Sequence, residues 1–392
     1  MSAGDHDPRR SRIGPHRTDR RLLFADLHNH SLHSDGRGDP EWAFALMRDA
    51  GLDVAALTDH ASIPADRHAT IGLDDYPDAA ALDVAAFVPR SIDDHAWKRT
   101  AELADAHDAP GRFTALRGFE WTEPWLGHVN VWFSQGFTPV HTPGRLHGLE
   151  GFLTDVEPQA LYGYNHPGRE PGRLHGFAVP GDRPGLPARM VTLEAFNRTL
   201  DFLFEGYGRG ERSAIADCLD AGWRPGLIGS SDEHGRSYGL AGKGRAGLWA
   251  PEHSRTGVRA CLEARHTYAT REVGLRVDAT LDGTVMGTAL RTGPVARLTL
   301  DAGGPRHDGH LAEVQVLTSG HEGVAVDGGI RVLATAPARL GEVTEVDVPV
   351  PAGTRWILAR LADPGRPPGG SAPGDHAARG WALAYTSPWF LE

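Results

Sequence analysis

Leu22-Leu23-Phe24-Ala25-Asp26-Leu27-His28-Asn29-His30 is the stretch that decides the fold. Unbroken apolar residues are what a strand buried on both faces looks like. The run gives way at once to an aspartate and two histidines. In an extended segment residues two apart point the same way, so both imidazoles can face one cation. The chain holds 21 histidines, enough for about one such spacing by chance, so the pair needs support from elsewhere.

The support is repetition. Val54-Ala55-Ala56-Leu57 leads into Thr58-Asp59-His60, and Phe113 to Phe119 leads into Glu120. Leu161 to Tyr164 leads into Asn165-His166-Pro167, Val191-Thr192-Leu193 into Glu194, and Leu227-Ile228-Gly229 into Ser230-Ser231-Asp232-Glu233-His234. Helical patterns lie between them. Asp39-Pro40 opens one that runs through Trp42, Leu46 and Met47 and stops at Gly51. Ser91 opens another, with Trp97, Ala101 and Ala104 at helical spacing, and Glu211 to Ala221 is a third, stopped by Gly222. Strands alternating with helices imply parallel βα units, and in barrels of such units the reactive groups gather at the C-terminal strand ends.

Beyond Thr270 the helical period disappears. Leu275 to Leu281 alternates and Asp282-Gly283 supplies a hairpin turn. Further β-type runs are Ala296–Leu300, Glu313–Leu317, Ile330–Leu333, Val343–Val348, Trp356–Leu361 and Trp381–Tyr385, with a Pro- and Gly-rich surface loop over Asp363–Gly380. Regular short strands with turn signals read as a β-sandwich. The expected organisation is a flexible leader (1–21), a barrel (22–270) and a β-sandwich (271–392). Ala61 to Arg90 is expected to form a lid or pocket wall.

A net charge of −11 argues against a phosphate-neutralising nucleic-acid face. No run approaches the roughly 18 apolar residues of a membrane span. Arg9-Arg10 is not followed by the apolar core of an export signal. The cysteines, Cys218 and Cys261, sit in apolar helical contexts and read as buried thiols in a reducing, cytoplasmic compartment. Asp59 reads as a residue that orients a ligand histidine, with His60 as the ligand.

Asp26-Leu27-His28-Asn29-His30-Ser31, Ser34-Asp35-Gly36, Thr58-Asp59-His60, Asn165-His166-Pro167 and Ser231-Asp232-Glu233-His234 resemble the four signature motifs of the PHP (polymerase and histidinol phosphatase) family, in family order. Gly118-Phe119-Glu120-Trp121-Thr122 is similar to the segment holding that family's bridging glutamate. Arg112-Phe113 to Trp121, Arg265 to Thr270 and Tyr385-Thr386-Ser387-Pro388 resemble a carbaryl-hydrolase-like branch with a C-terminal β-domain. The resemblance implies an α/β fold, a distorted (β/α)7 TIM-like barrel with a C-terminal all-β sandwich-like domain. It also implies two or three divalent metal ions. His28, His30, Glu120 and Asp232 would hold the first, Asp35, His60 and His234 the second, and Glu120, His128 and His166 the third.

Imidazole and carboxylate donors without sulfur suit Zn, Mn or Fe. Such a cluster predicts a hydrolase whose nucleophile is metal-bound hydroxide. Glu120 and Asp232 are its central carboxylates, and His33 and Arg236 are candidates for proton transfer and charge stabilisation. Arg198, Asn197 and Glu194 are candidates for contact with a small-molecule substrate. A phosphoesterase is the first expectation. A carboxyl-ester or carbamate hydrolase is the alternative, kept open by Trp121, Trp125 and Trp132 beside the bridging glutamate. A third reading is a non-catalytic metal-binding scaffold. The β-region is expected to serve structure or self-association, giving a homo-oligomer, rather than sugar binding.

Overall fold

The computed structural model describes residues 7–70, 88–183, 185–204, 212–320, 328–368 and 376–392. Eleven strands build the first part of the chain. They are β1 (Arg21–Asp26), β2 (Val54–Leu57), β3 (His60–Ala61), β4 (Thr114–Glu123), β5 (Gly127–Trp132), β6 (Leu161–Tyr164), β7 (Met190–Asn197), β8 (Leu200–Asp201), β9 (Gly226–Ser230), β10 (Arg245–Ala250) and β11 (Thr267–Thr270). β1, β2 and β4 form a parallel run, and β6, β7 and β9 another. Their buried Val, Leu and Ala residues are the short apolar runs of the sequence.

Two features depart from a simple βα repeat. β4 continues through Glu120 to Glu123 and turns directly into antiparallel β5, which pairs with antiparallel β6. Among the described residues the ladder does not close between β9 and β10. An isolated parallel bridge from Asn29 to Glu233 ties the segment after β1 to the segment after β9. The strands thus form a mixed, open ladder, and among the described residues no closed barrel is shown.

The helix Pro40–Asp49 is capped by Asp39, whose side chain accepts the Glu41 N–H, worth about 1 kcal/mol. Its buried face is Pro40, Ala43, Phe44 and Met47. Trp42 and Leu46 point outward at 65% and 44% exposure. The helix expected from Ser91 spans Asp94–His107, because Asp93 provides the cap. The third begins after Ser213 as Ala214–Asp220. Cys218 and Cys261 are free and buried, and burial pushes both thiols up.

The C-terminal part is β-rich, but it is not set apart from the sheet of the first part. Arg276–Leu281, Val295–Gly303 and Val343–Pro349 form an antiparallel sheet, with Thr284–Val285 completing the Asp282-Gly283 hairpin. Asp282 and Gly283 both have positive φ, at 49° and 78°, as a two-residue hairpin turn requires. Ile330–Arg339, Leu311–Ser319, Trp356–Asp363 and Trp381–Thr386 form a second ladder. Its last strand pairs with β11, which pairs with β10, which pairs with β1. One layer of the β-rich region is thus an extension of the ladder that carries β1, β10 and β11. Val277, Leu298, Val314, Val346 and Leu361 fill the core with Trp249 and Tyr268.

The leader is a second correction. Residues 1–6 lie outside the described residues, but Ser11, Ile13 and His16 are buried. Ser11 Oγ donates to Asp278 Oδ2 at 2.6 Å, His16 Nδ1 lies 3.0 Å from Asp278 Oδ1, and Arg12 Nε donates to Asp301 Oδ1 at 3.0 Å. Two buried carboxylates of the β-region need donors, and the polar leader supplies them. Most of the expected lid, residues 71–87, and 369–375 of the surface loop lie outside the described residues.

Candidate metal centre

Strand register builds the site. His60 pairs with Glu120 across β3 and β4, and Thr122 pairs with His128 across β4 and β5. Glu120 and Thr122 are two apart, so all four share one face. Trp121 takes the opposite face and is 1% exposed in the core. His28 and His30 follow β1, His166 follows β6, and Asp232 and His234 follow β9. His166 and Asp232 have positive φ, 25° and 46°. For side chains this conformation costs about 1–3 kcal/mol and is retained where it aims a functional group.

Nine side chains singled out from the sequence come together. Their donor atoms form three groups, the first two sharing His30: His30, Asp35, His60 and His234; His28, His30 and Asp232; and Glu120, His128 and His166. Glu120 lies among all of them. Its Oε1 is 3.1 Å from His28 Nε2, 3.2 Å from His128 Nδ1 and 3.5 Å from His166 Nε2. Its Oε2 is 2.7 Å from His60 Nδ1 and 3.5 Å from His30 Nε2. His30 also belongs with the Asp35 group, a sharing that the sequence motifs do not show.

The chemistry of this donor set fits divalent cations. His28 Nε2 and His30 Nε2 face each other at 3.0 Å, and His60 Nε2 and His234 Nε2 at 3.3 Å. Two neutral ring nitrogens at that separation need a proton or a cation between them. The far sides of the rings are braced. His28 Nδ1 is 2.9 Å from Glu194 Oε1, His166 Nδ1 has Glu170 Oε2 as an ion-pair partner at 3.3 Å, His234 Nδ1 is 3.0 Å from the Asp232 carbonyl, and His60 Nδ1 is 2.7 Å from Thr122 Oγ1 as well as from Glu120 Oε2. Partners on the far nitrogen are what orient metal-ligating histidines.

Electrostatics agree. Burial opposes ionisation of Glu120 and Asp232, yet His28 and the neighbouring imidazoles hold both carboxyls well below their ordinary values. Burial likewise opposes charge on His28, but Glu120, Asp232 and Glu194 raise it. His60 is pushed up to about 9 against its burial, chiefly by Glu120 and Asp35. His30, buried and facing His60 and His234, is held down. The pocket carries concentrated negative charge that imidazolium or a cation must balance.

The other candidates fall elsewhere. Glu194 is buried, with oxygens taken by His28 Nδ1, the His166 N–H, Asn197 and Ser230, so it braces rather than faces a substrate. Asn197 is likewise buried, donating to Glu194 at 2.8 Å. Asp59 accepts from Ser31 and Ser34 through backbone and hydroxyl, pinning the loop to Asp35 rather than orienting an imidazole. His33 joins none of the donor groups, and burial lowers its pKa. Arg236 donates to the Arg37 carbonyl at 3.2 Å, away from the donor groups. Trp132 is core and donates to the Leu27 carbonyl, and Trp125 packs partly buried against the core.

Arg198 does reach the site. It is half-exposed, with Nε 3.2 Å from Asp232 Oδ2 and Nη2 3.1 Å from His234 Nδ1. Arg169 joins it, Nη1 lying 3.6 Å from the same carboxylate oxygen. Arg169, Glu170 and Asn165, which donates to Glu120 Oε1 at 2.6 Å, were not singled out from the sequence. The available signal was a carboxylate four residues after His166, at helical spacing in a segment without helix. A turn at Gly168, φ 89°, brings it back under the ring.

A family model described as a protein of unknown function, DUF3604, matches residues 65–139. No curated protein matches the chain. A solved two-domain protein from Bacteroides vulgatus ATCC 8482, containing a predicted PHP-like metal-dependent phosphoesterase, is 17% identical with a TM-score of 0.47, over 98% of this chain and 100% of that one. Histidinol phosphate phosphatase from Lactococcus lactis subsp. lactis Il1403, complexed with zinc, L-histidinol and phosphate, is 13% identical with a TM-score of 0.28, over 54% of this chain and 87% of that one. No described helix is long and apolar enough to cross a membrane.

Proposed function

We propose that this chain is a metal-dependent hydrolase that binds two or three divalent ions, Zn, Mn or Fe, and cleaves phosphoesters of a small molecule. The observation that carries the reading is Glu120, a buried carboxylate grouped with His128 and His166 whose oxygens also lie 3.1 Å from His28 and 2.7 Å from His60, members of the two other donor groups. Bound at these groups, the cations would supply a water activated near neutral pH and Lewis acidity toward the scissile group. The protein's own part is to hold the donors, exclude bulk water and grip the substrate. His28, His30, Asp232, Asp35, His60, His234, Glu120, His128 and His166 would hold the ions. Glu194, Glu170 and Thr122 fix ring orientation.

The half-exposed guanidiniums of Arg198 and Arg169 beside Asp232 favour an anionic substrate, since arginine grips phosphate oxygens in a bidentate manner. The carbamate alternative drew on tryptophans near Glu120. Trp121 and Trp132 are core and offer no aromatic wall, which leaves the partly buried Trp125 as that alternative's only support among the three. Two free buried thiols accord with a reducing cytoplasmic setting.

The test begins by stripping metal with a chelator and reconstituting with each candidate ion. The expected result is more than one equivalent bound, a rise in melting temperature, and turnover of phosphate monoesters or diesters. At a thousandfold excess over Kd the stabilisation is about 4 kcal/mol. Less than one bound equivalent after reconstitution refutes the metal centre. Inert phosphoesters with active aryl esters or carbamates would replace the substrate class.

A further inference from the structure

We infer that Arg271 and Tyr385, both outside the donor cup, are positioning residues that aim Arg198 at the site, an inference that rests on the phosphoester reading above. Arg198 occupies the tip of the tight hairpin joining β7 to β8, where Asn197 pairs with Leu200 and Phe196 with Asp201. Its backbone is left-handed, φ 53°. That conformation disfavours a side-chain-bearing residue, so the surroundings must hold it. Within the barrel, two backbone bonds do so. The Arg198 N–H donates to the Ser230 carbonyl at 3.0 Å, and the Gly244 N–H donates to the Arg198 carbonyl at 2.8 Å.

The remaining holds come from the β-region. Arg271 Nη1 donates to the carbonyl of Thr199, the other tip residue, at 3.0 Å, while Nη2 donates to the Ala382 carbonyl at 2.8 Å. Its guanidinium lies between the rings of Phe196 and Trp381, 4.4 and 3.8 Å from their centroids. Asp201 closes the hairpin and is fully enclosed. The Tyr385 hydroxyl donates to it, 2.9 and 3.0 Å from its two oxygens. That hydroxyl is itself held by Arg360 Nε at 3.0 Å. Both sides of the turn are thus fastened to residues beyond β11. The turn between them projects a guanidinium whose Nε is buried without a hydrogen-bond acceptor, beside Asp232.

Buried hydrogen bonds to a turn are stiff, because an unmade bond strands a desolvated group. Loosening either fastening lets the turn relax from its left-handed form and moves the guanidinium off its aim. The donor cup is untouched, because its residues bond to neither Arg271 nor Tyr385.

The experiment is a double-mutant cycle on the full-length, metal-reconstituted protein, with inorganic phosphate as probe and calorimetric Kd as readout. Arg198→Ala, Tyr385→Phe and the pair are compared, with metal content and melting temperature recorded. Tyr385→Phe should weaken phosphate about fivefold with metal content unchanged, and should add nothing in the Arg198→Ala background. Equal weakening in both backgrounds would mean a general structural effect and overturn the inference, as would unchanged affinity in a folded variant. If Arg198→Ala alone leaves phosphate affinity unchanged, the phosphoester reading fails first and the inference falls with it. Should Tyr385→Phe fail to fold, Arg271→Lys enters the same cycle, since lysine keeps the charge but loses the fork that reaches both carbonyls.

Discussion

Two of the buried polar assemblies among the described residues solve the cost of burying charge in opposite ways. In the network around Arg360, each guanidinium nitrogen has an oxygen: Gln315 Oε1 and the Arg379 carbonyl, the Gly380 carbonyl, and the Tyr385 hydroxyl. In the cup, imidazole nitrogens face one another and face carboxylates, so that a proton or a cation must come between the rings. The first assembly is complete as folded. The second is complete only with something added. Buried charge is expensive in either case. What separates a structural network from a binding site is whether its partners are already present.

The sharpest way to break that comparison is Glu120→Gln. Removing the shared charge should lower metal affinity by at least about a hundredfold and abolish turnover while leaving the fold intact. Near-normal metal content in folded protein, measured by elemental analysis, would show that the carboxylate is not shared. The reverse behaviour is expected of Arg360→Met. It strands Asp201 and Tyr385 and should cost about 3–5 kcal/mol in denaturant unfolding, with metal stoichiometry unchanged. Loss of metal there would merge the two assemblies into one.

Smaller effects refine the picture. Glu170→Gln removes the brace on His166 Nδ1 and should weaken one of the bound ions about tenfold. Competition titration with a chelating dye reads this directly, and uniform weakening of every ion would contradict a local brace. The smallest effect concerns His266, far from the cup. Burial, with His16 and Arg20 nearby, holds it down to about 3, whereas unfolded it titrates near 6.5. The unfolded chain therefore binds more protons across that window. The neutral ring's contribution is full above about 6.5 and is lost as pH falls toward 3. His266→Gln should flatten the acid slope of the urea midpoint, and an unchanged slope would count against this origin.

The cup was legible in the sequence because covalent spacing and strand ends are. An apolar run followed at once by His28, His60, His166 or Asp232 carries its own placement. The β4–β5 hairpin was less so, since Phe113 to Phe119 looks like a run ending at Glu120. Only pairing with Gly127–Trp132 explains why the strand continues. Which apolar residues of the Pro40–Asp49 helix face inward is decided by packing against the sheet, which selects Phe44 and Met47 and leaves Trp42 and Leu46 exposed. Glu170 and Arg169 depend on one left-handed glycine turn. The leader was hardest, because the acids that hold it, Asp278 and Asp301, lie more than 250 residues away.

β11 is only four residues long, yet it is hydrogen-bonded on both sides, to β10 and to Trp381–Thr386 of the β-rich region. The chain therefore has no seam at residue 270. A fragment cut there would expose one side of β11 as an unpaired edge and uncover Tyr268 and Trp249, the combination that templates intermolecular pairing. The two halves cannot be exchanged between proteins as cassettes. A homologous swap made at this point should yield aggregate by size-exclusion chromatography, whereas inheritance of both halves together preserves the sheet.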